Sequence, residues 1–156
     1  MIRKARMADV KAIHGLIAEY ARKGDMLPRA LADIYENLRD YFVFLGDDGE
    51  LVGSAAIHIM WEDLAEVRSL AVREGQMRRR VGTQLVEACI SEAIVLGIAR
   101  VFALTYKPEF FEKLGFHVVE KSELPQKIWA DCLKCSKFPD CDEVALVADF
   151  SGRRRD

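Results

Sequence analysis

EVRSLAVREGQMRRRVGTQLV, residues Glu66 to Val86, decides how the chain reads. Glu66 to Val72 has the composition of a strand, Arg73 to Arg80 is a polar, arginine-rich loop, and a helix begins at Val81. A strand that feeds a helix through such a loop builds an anion site. The N–H groups of the first helical turn have no acceptor within the helix, and the helix dipole favours negative charge there. Arg78, Arg79 and Arg80 add positive charge at that point, and Gly82 removes a side chain where a ligand would pass close to the backbone. The plain alternative for three successive arginines is a solvated basic turn. Their place between a strand and Gly82 favours phosphate.

The whole chain narrows the classes. A length of 156 residues predicts one domain, over residues 1–150, with residues 151–156 as a charged tail. Hydrophobic residues, at 51%, suffice for one packed core. The formal net charge of −2 argues against a general polyanion surface, so neither nucleic acid nor membrane is an expected partner, and the arginine run is a small local site. The first residues are charged and broken rather than a leader, and no apolar run is long enough to span a bilayer, so the expected location is the cytoplasm. A homodimer stays open.

Outward from the central stretch, Ile2 to Ala5 reads as a short strand. Asp9 to Lys23 carries Val10, Ile13, Leu16, Ile17 and Tyr20 at helical spacing, and Gly24 stops it. Leu27-Pro28 predicts a second helix with Pro28 in its first turn and Leu31, Ile34, Tyr35 and Leu38 as its apolar stripe. Tyr41 to Leu45 is a buried strand, Asp47-Asp48-Gly49 a turn, and Leu51 to Met60 the strand that completes a hairpin. Leu64 to Val72 is the third long strand. The helix from Val81 to Leu96 turns Leu85, Val86, Ala88, Cys89, Ile90 and Ala93 inward. Val101 to Thr105 is a strand, Pro108 opens a short helix through Leu114, and Phe116 to Glu120 is another strand. A helical turn or two over Leu124 to Leu133 and a strand over Val144 to Phe150 follow. The order is α/β, with an antiparallel hairpin first and βαβ steps later.

These residues resemble a known family. The strand, loop and helix around Gly82 are similar to the acetyl-CoA-binding segment of the GNAT N-acetyltransferases, commonly Gln/Arg-x-x-Gly-x-Gly/Ala, with Met77 and Arg80 departing from it. LVGSAAI, Leu51 to Ile57, and FFEKLGF, Phe110 to Phe116, resemble two further GNAT segments. Within that family, AAIHIMWEDLAEVRSLAV with RVFALTYKPEFFEKLGF looks like the acetyltransferase domain of short, kinase-less bacterial N-acetylglutamate synthases, through Glu66, the Phe102 to Thr105 strand and Phe111. Leu27-Pro28-Arg29 resembles their Leu-Leu-x-Arg segment. The resemblance implies the GNAT fold: a mixed sheet of six to seven strands, about four flanking helices, and a splay between the fourth and fifth strands. It implies acetyl-CoA as co-substrate and transfer to the α-amine of L-glutamate in a ternary complex, at the start of arginine biosynthesis. Another acceptor, such as glutamine or a small amine, and a non-catalytic CoA-binding or thiol-sensing domain are the alternatives. A chain of this length has no room for the arginine-sensing kinase domain of larger synthases, so inhibition by that route is not expected.

Acyl transfer from a thioester to an amine needs a base, donors for the developing oxyanion and an exit for the thiolate. From spacing alone, Glu66 pairs with Arg68 on one strand face. The resemblance makes Glu66 the general base, through an ordered water. Ser69, three residues on, faces the same site only if the strand carries the bulge GNATs have here; otherwise it is a small core residue. The resemblance gives the backbone of Leu70, Ala71 and Val72 to the pantetheine arm, with the Leu70 amide as oxyanion donor. It gives Met77, Arg78, Arg79, Arg80, Val81, Gly82 and Thr83 to the pyrophosphate. Arg80 can donate its N–H only if its dihedrals suit a residue with a Cβ. Phe111 cannot donate a proton, so the thiolate leaves unassisted or with help from water, Ser69 or Thr105. A dicarboxylate substrate calls for cations, best arginines: Arg29 by resemblance, then Arg68 and Lys107, with Thr105 beside them and Lys127 more remote. Each of these is more commonly a solvated surface charge. His14, His58 and His117 carry no assigned role. Cys89 reads as a buried apolar residue. Cys132, Cys135 and Cys141 have metal-like spacing without the second CxxC that would make it strong. A metal is therefore not expected, and zinc, free thiols or a reversible disulfide all stay open.

Overall fold

A computed structural model describes residues 1–75, 80–125 and 143–151. Its elements in chain order are β1 (Ile2–Lys4), α1 (Val10–Arg22), α2 (Leu31–Glu36), β2 (Tyr41–Leu45), β3 (Leu51–Trp61), β4 (Leu64–Val72), α3 (Val81–Val95), β5 (Arg100–Thr105), α4 (Pro108–Glu112), β6 (His117–Val119) and β7 (Val144–Asp149). The seven strands form a mixed sheet in the order β1-β2-β3-β4-β5-β7-β6. The residues gather into two compact units, Met1–His58 with Val67–Glu92, and Ile59–Glu66 with Ala93–Asp156.

In the first unit, β1 and β3 both pair antiparallel with β2. The stripe on α1 buries Val10, Ile13 and Ile17 in a core with Ile34, Tyr41, Val43 and Ala56. Arg3 donates to Asp9 at 2.8 Å, tying β1 to the turn before α1 and holding the Asp9 carboxyl below its usual range. The second helix starts later than its sequence predicts. Ala30, extended at ψ 149°, caps a helix that begins at Leu31, so Pro28 lies outside it. A proline pushes the residue before it out of helical geometry, and six helical residues are too few for the predicted stripe. Ile34 is buried, while Leu31 and Tyr35 are exposed.

Helix α3 buries Val81, Leu85, Val86, Cys89 and Ala93, with Ala88 and Ile90 half-buried at the edge of the stripe. Its first turn comes very close to the sheet. A Cβ built on Gly53 of β3 would lie 3.1 Å from each of the Ala71 carbonyl oxygen, Val81 Cγ1 and Leu85 Cδ1.

In the second unit, β4 and β5 pair in parallel from Leu64↔Arg100 to Glu66↔Phe102. That short ladder is the fork predicted between the fourth and fifth strands. Strand β7 pairs antiparallel with β5 from Arg100↔Asp149 to Thr105↔Val144, and with β6 on its other side. The last strand therefore lies between two earlier ones. Leu64, Phe102, Leu124, Ala145 and Val147 form the core of this unit.

Replacing Gly53 by Ala should cost about 1–3 kcal/mol, because backbone on one side and two buried side chains on the other leave a methyl no room. Urea denaturation measures this. A midpoint equal to wild type would show that α3 shifts freely.

Candidate active site

Strand β4 carries a backbone irregularity at Ser69. Ser69 sits at φ 56°, in the left-handed region, within a strand. An L-residue with a Cβ takes that conformation at a cost of about 1–2 kcal/mol, and such a residue breaks the strict alternation of strand faces. Glu66, three residues earlier, is 9% exposed and pairs in register with Phe102.

Beyond the bulge, Arg73 N–H donates to the Val52 carbonyl at 2.8 Å, so that side of the chain faces β3. Val72 faces the other way, and the hydroxyl of Tyr20, from the last turns of α1, takes both its backbone groups. It donates to the Val72 carbonyl at 2.6 Å and accepts from the Val72 N–H at 3.3 Å. Lys23 reaches Glu74 at 2.9 Å from the same end of α1. At the far end of the loop, Arg80 has φ 58° and its carbonyl accepts the Gln84 N–H at 3.0 Å. Arg80 thus caps α3 in a conformation glycine would adopt more readily, which is why a glycine is common there in the motif it resembles. Its side chain is exposed, and Val81, Gly82 and Thr83 supply the first-turn N–H groups. Met77, Arg78 and Arg79 lie outside the described residues.

The predicted substrate residues of the first unit converge on one side chain, Tyr41. This tyrosine of β2 is 3% exposed and shares a hydrogen bond with the Ser69 side chain. Burial raises its hydroxyl pKa; the charges of Arg29 and Arg68 and the bond to Ser69 pull it back, and Asp33 pushes it up. Arg29 is largely buried and lies 3.6 Å from Asp33, one helical turn on. Two guanidinium groups, a phenol and a bulged serine therefore share one locality. Neither Tyr41 nor Tyr20 stands out as a site residue in the sequence, where each fills an apolar position of its stripe. The available signal is chemical: a buried tyrosine needs a partner for its hydroxyl.

The second unit holds the other candidates. Thr105 Oγ1 accepts the Lys107 N–H at 2.9 Å, a local turn at the end of β5, and Lys107 is exposed. Phe111 is 5% exposed and makes edge contacts with Phe110 and Phe116 at centroid distances of 5.1 and 5.2 Å. It packs, as a phenyl ring must. Lys127, Cys132, Cys135 and Cys141 lie outside the described residues. Among the described residues no group of three or more His, Cys, Asp or Glu is placed to hold a metal ion, and no helix is long and apolar enough to cross a membrane.

Residues 10–116 match the Acetyltransferase (GNAT) family, and the chain belongs to it. An uncharacterized N-acetyltransferase of Chlorobaculum tepidum is 41% identical over 146 residues, 94% of each chain. The amino-acid acetyltransferase of Mycobacterium tuberculosis is 34% identical, over 83% of this chain and 75% of that one. Among solved structures, N-acetylglutamate synthase of Neisseria gonorrhoeae, in complex with coenzyme A and N-acetyl-glutamate, superposes with a TM-score of 0.87 at 27% identity. The match covers 96% of this chain and 35% of that longer one.

Cys89 is fully buried, and burial pushes its thiol pKa up to about 12. It is no nucleophile at neutral pH. A variant with Cys132, Cys135 and Cys141 changed to Ser should show no thiol reactive to an aromatic disulfide at pH 8 while folded, and one in denaturant. Fast reaction of the folded variant would place Cys89 at an accessible surface.

Proposed function

We propose that the chain transfers the acetyl group of acetyl-CoA to the α-amino group of L-glutamate, the reaction of an N-acetylglutamate synthase at the entry to arginine biosynthesis. The observation that carries the reading is that the charges of Arg29 and Arg68 both act on buried Tyr41, which bonds to Ser69. A dicarboxylate needs two cationic contacts, and Arg29 and Arg68 would supply them. The names of the relatives support the class of acceptor, and the complex of the gonococcal enzyme supports both ligands.

On this reading the diphosphate rests on the first turn of α3, with the Arg80 side chain at its edge, and the thioester arm lies along β4. The carboxylates of glutamate meet Arg29 and Arg68. Glu66 takes one proton from the substrate ammonium through a water. The amine nitrogen attacks the thioester carbonyl, the Leu70 N–H holds the developing oxyanion, and the carbon–sulfur bond breaks as the amide forms, the nitrogen giving its second proton to water. With Phe111 in place of a phenol, the sulfur leaves as thiolate and takes its proton from water afterwards.

The test is thiol release from acetyl-CoA with the purified chain and a panel of amino acids. Glutamate should exceed every other acceptor in kcat/KM. Glu66→Gln should lower kcat by about 10²-fold or more. Arg29→Ala should raise the glutamate KM by about tenfold or more while the acetyl-CoA KM stays within about twofold. A preference for another acceptor would replace glutamate in this reading. Equal effects of Arg29→Ala on both KM values would remove that residue from the carboxylate site, and coenzyme A binding without turnover on any amine would remove the activity.

A further inference from the structure

Tyr20 makes a contact that neither packing nor the transfer chemistry explains. Its hydroxyl satisfies both backbone groups of one residue, Val72, donating to the carbonyl at 2.6 Å and accepting from the amide at 3.3 Å. Val72 is the last residue of β4 and directly precedes the loop that leads to α3. A strand residue normally gives those two groups to a neighbouring chain. Here a phenol ends the edge.

The consequence follows from strand alternation. Arg73 bonds to Val52, so Arg73 and Ala71 turn their backbone groups toward β3, while Val72 and Leu70 turn theirs to the opposite side. The resemblance gives Val72 to the donor arm, yet an extended amide chain lying on that side of β4 meets both Val72 backbone groups bonded to Tyr20. It can pair at the Leu70 carbonyl, the Leu70 N–H being kept for the oxyanion, and must then leave the strand, toward the loop. Lys23, three residues beyond Tyr20, reaches Glu74 in the same loop at 2.9 Å, a second and weaker tie because both side chains are exposed.

We propose that Tyr20 is a positioning residue for the acyl donor: its hydroxyl closes the end of β4 at Val72, so the donor's amide arm pairs at Leu70 and turns into the phosphate-binding loop at one fixed point. This rests on the reading of the chain as an acetyl-CoA-dependent transferase. Tyr20 touches neither reacting atom. It acts through Val72, holding the loop entrance where the diphosphate can reach the start of α3 while the thioester stays in register with the bulge.

Steady-state kinetics of Tyr20→Phe, with acetyl-CoA and the acceptor varied separately, test the assignment. The acetyl-CoA KM should rise about tenfold, the loss of two hydrogen bonds of ordinary strength. Both kcat and the acceptor KM should stay within about twofold. A purely structural role would move both KM values together and overturns the proposal. An unchanged acetyl-CoA KM overturns it too, and so does a lower one, which would mean that the hydroxyl competes with the arm for Val72. If Tyr20→Phe does not fold, Lys23→Ala decides: it should raise the acetyl-CoA KM about fourfold with the acceptor KM unchanged, and a rise within about twofold counts against the proposal. A wild-type chain that neither binds nor uses acetyl-CoA would refute the transferase reading itself, whereas an active wild type with an unaffected variant refutes only the role of Tyr20.

Discussion

A helix start can hold an anion for a strand-bound ligand only if it sits tightly against the end of that strand, and here the absence of one methyl group permits it. Gly53 lets the Ala71 carbonyl, Val81 and Leu85 close to within 3.1 Å of where a side chain would begin. With α3 seated there, the strained residue Arg80 can cap the helix and aim its first-turn amides outward. Loop, cap and strand end share that one seat, and a small displacement of α3 would disturb all of them.

The second constraint is electrical. Holding a buried phenol beside two half-buried guanidinium groups is costly unless their hydrogen bonds and charges are mutually answered. Tyr41 bonds to Ser69, Arg29 lies by Asp33, and Asp33 accepts from Asn37 at 2.8 Å. The chain that results holds the bulge at Ser69 in place from β2 while keeping positive charge beside it. Strain at a single strand residue persists because the surroundings over-determine it.

The strands and long helices were legible because their periods are strict. The stripe Val10, Ile13, Ile17 and the run Val101–Phe102–Ala103 leave few other readings. A bulge in β4 is implied by resemblance and not by spacing; the structure shows a left-handed residue there, φ 56° at Ser69. The start of α2 was misjudged because a proline suits both a first helical turn and the extended segment before one. The roles of Tyr20 and Tyr41 stayed hidden for a physical reason. A tyrosine at an apolar position reads as a hydrophobe, while the partner of its hydroxyl lies on a strand distant in sequence, at Val72 in one case and Ser69 in the other. The place of β7 was likewise a non-local fact, invisible to local pattern.

That place carries a consequence for how the molecule is made. Because β7 separates β5 from β6, the second unit cannot complete its hydrogen bonding until Val144–Asp149 has been synthesised, long after β5 and β6 are exposed. The first unit, by contrast, has all its strands and most of α3 once residue 92 has emerged. Vectorial synthesis therefore favours an early half and a waiting half, with two strand edges unpaired until β7 is made. A nascent chain stalled before β7 would present those edges to its neighbours, making the final strand the element on which escape from aggregation depends.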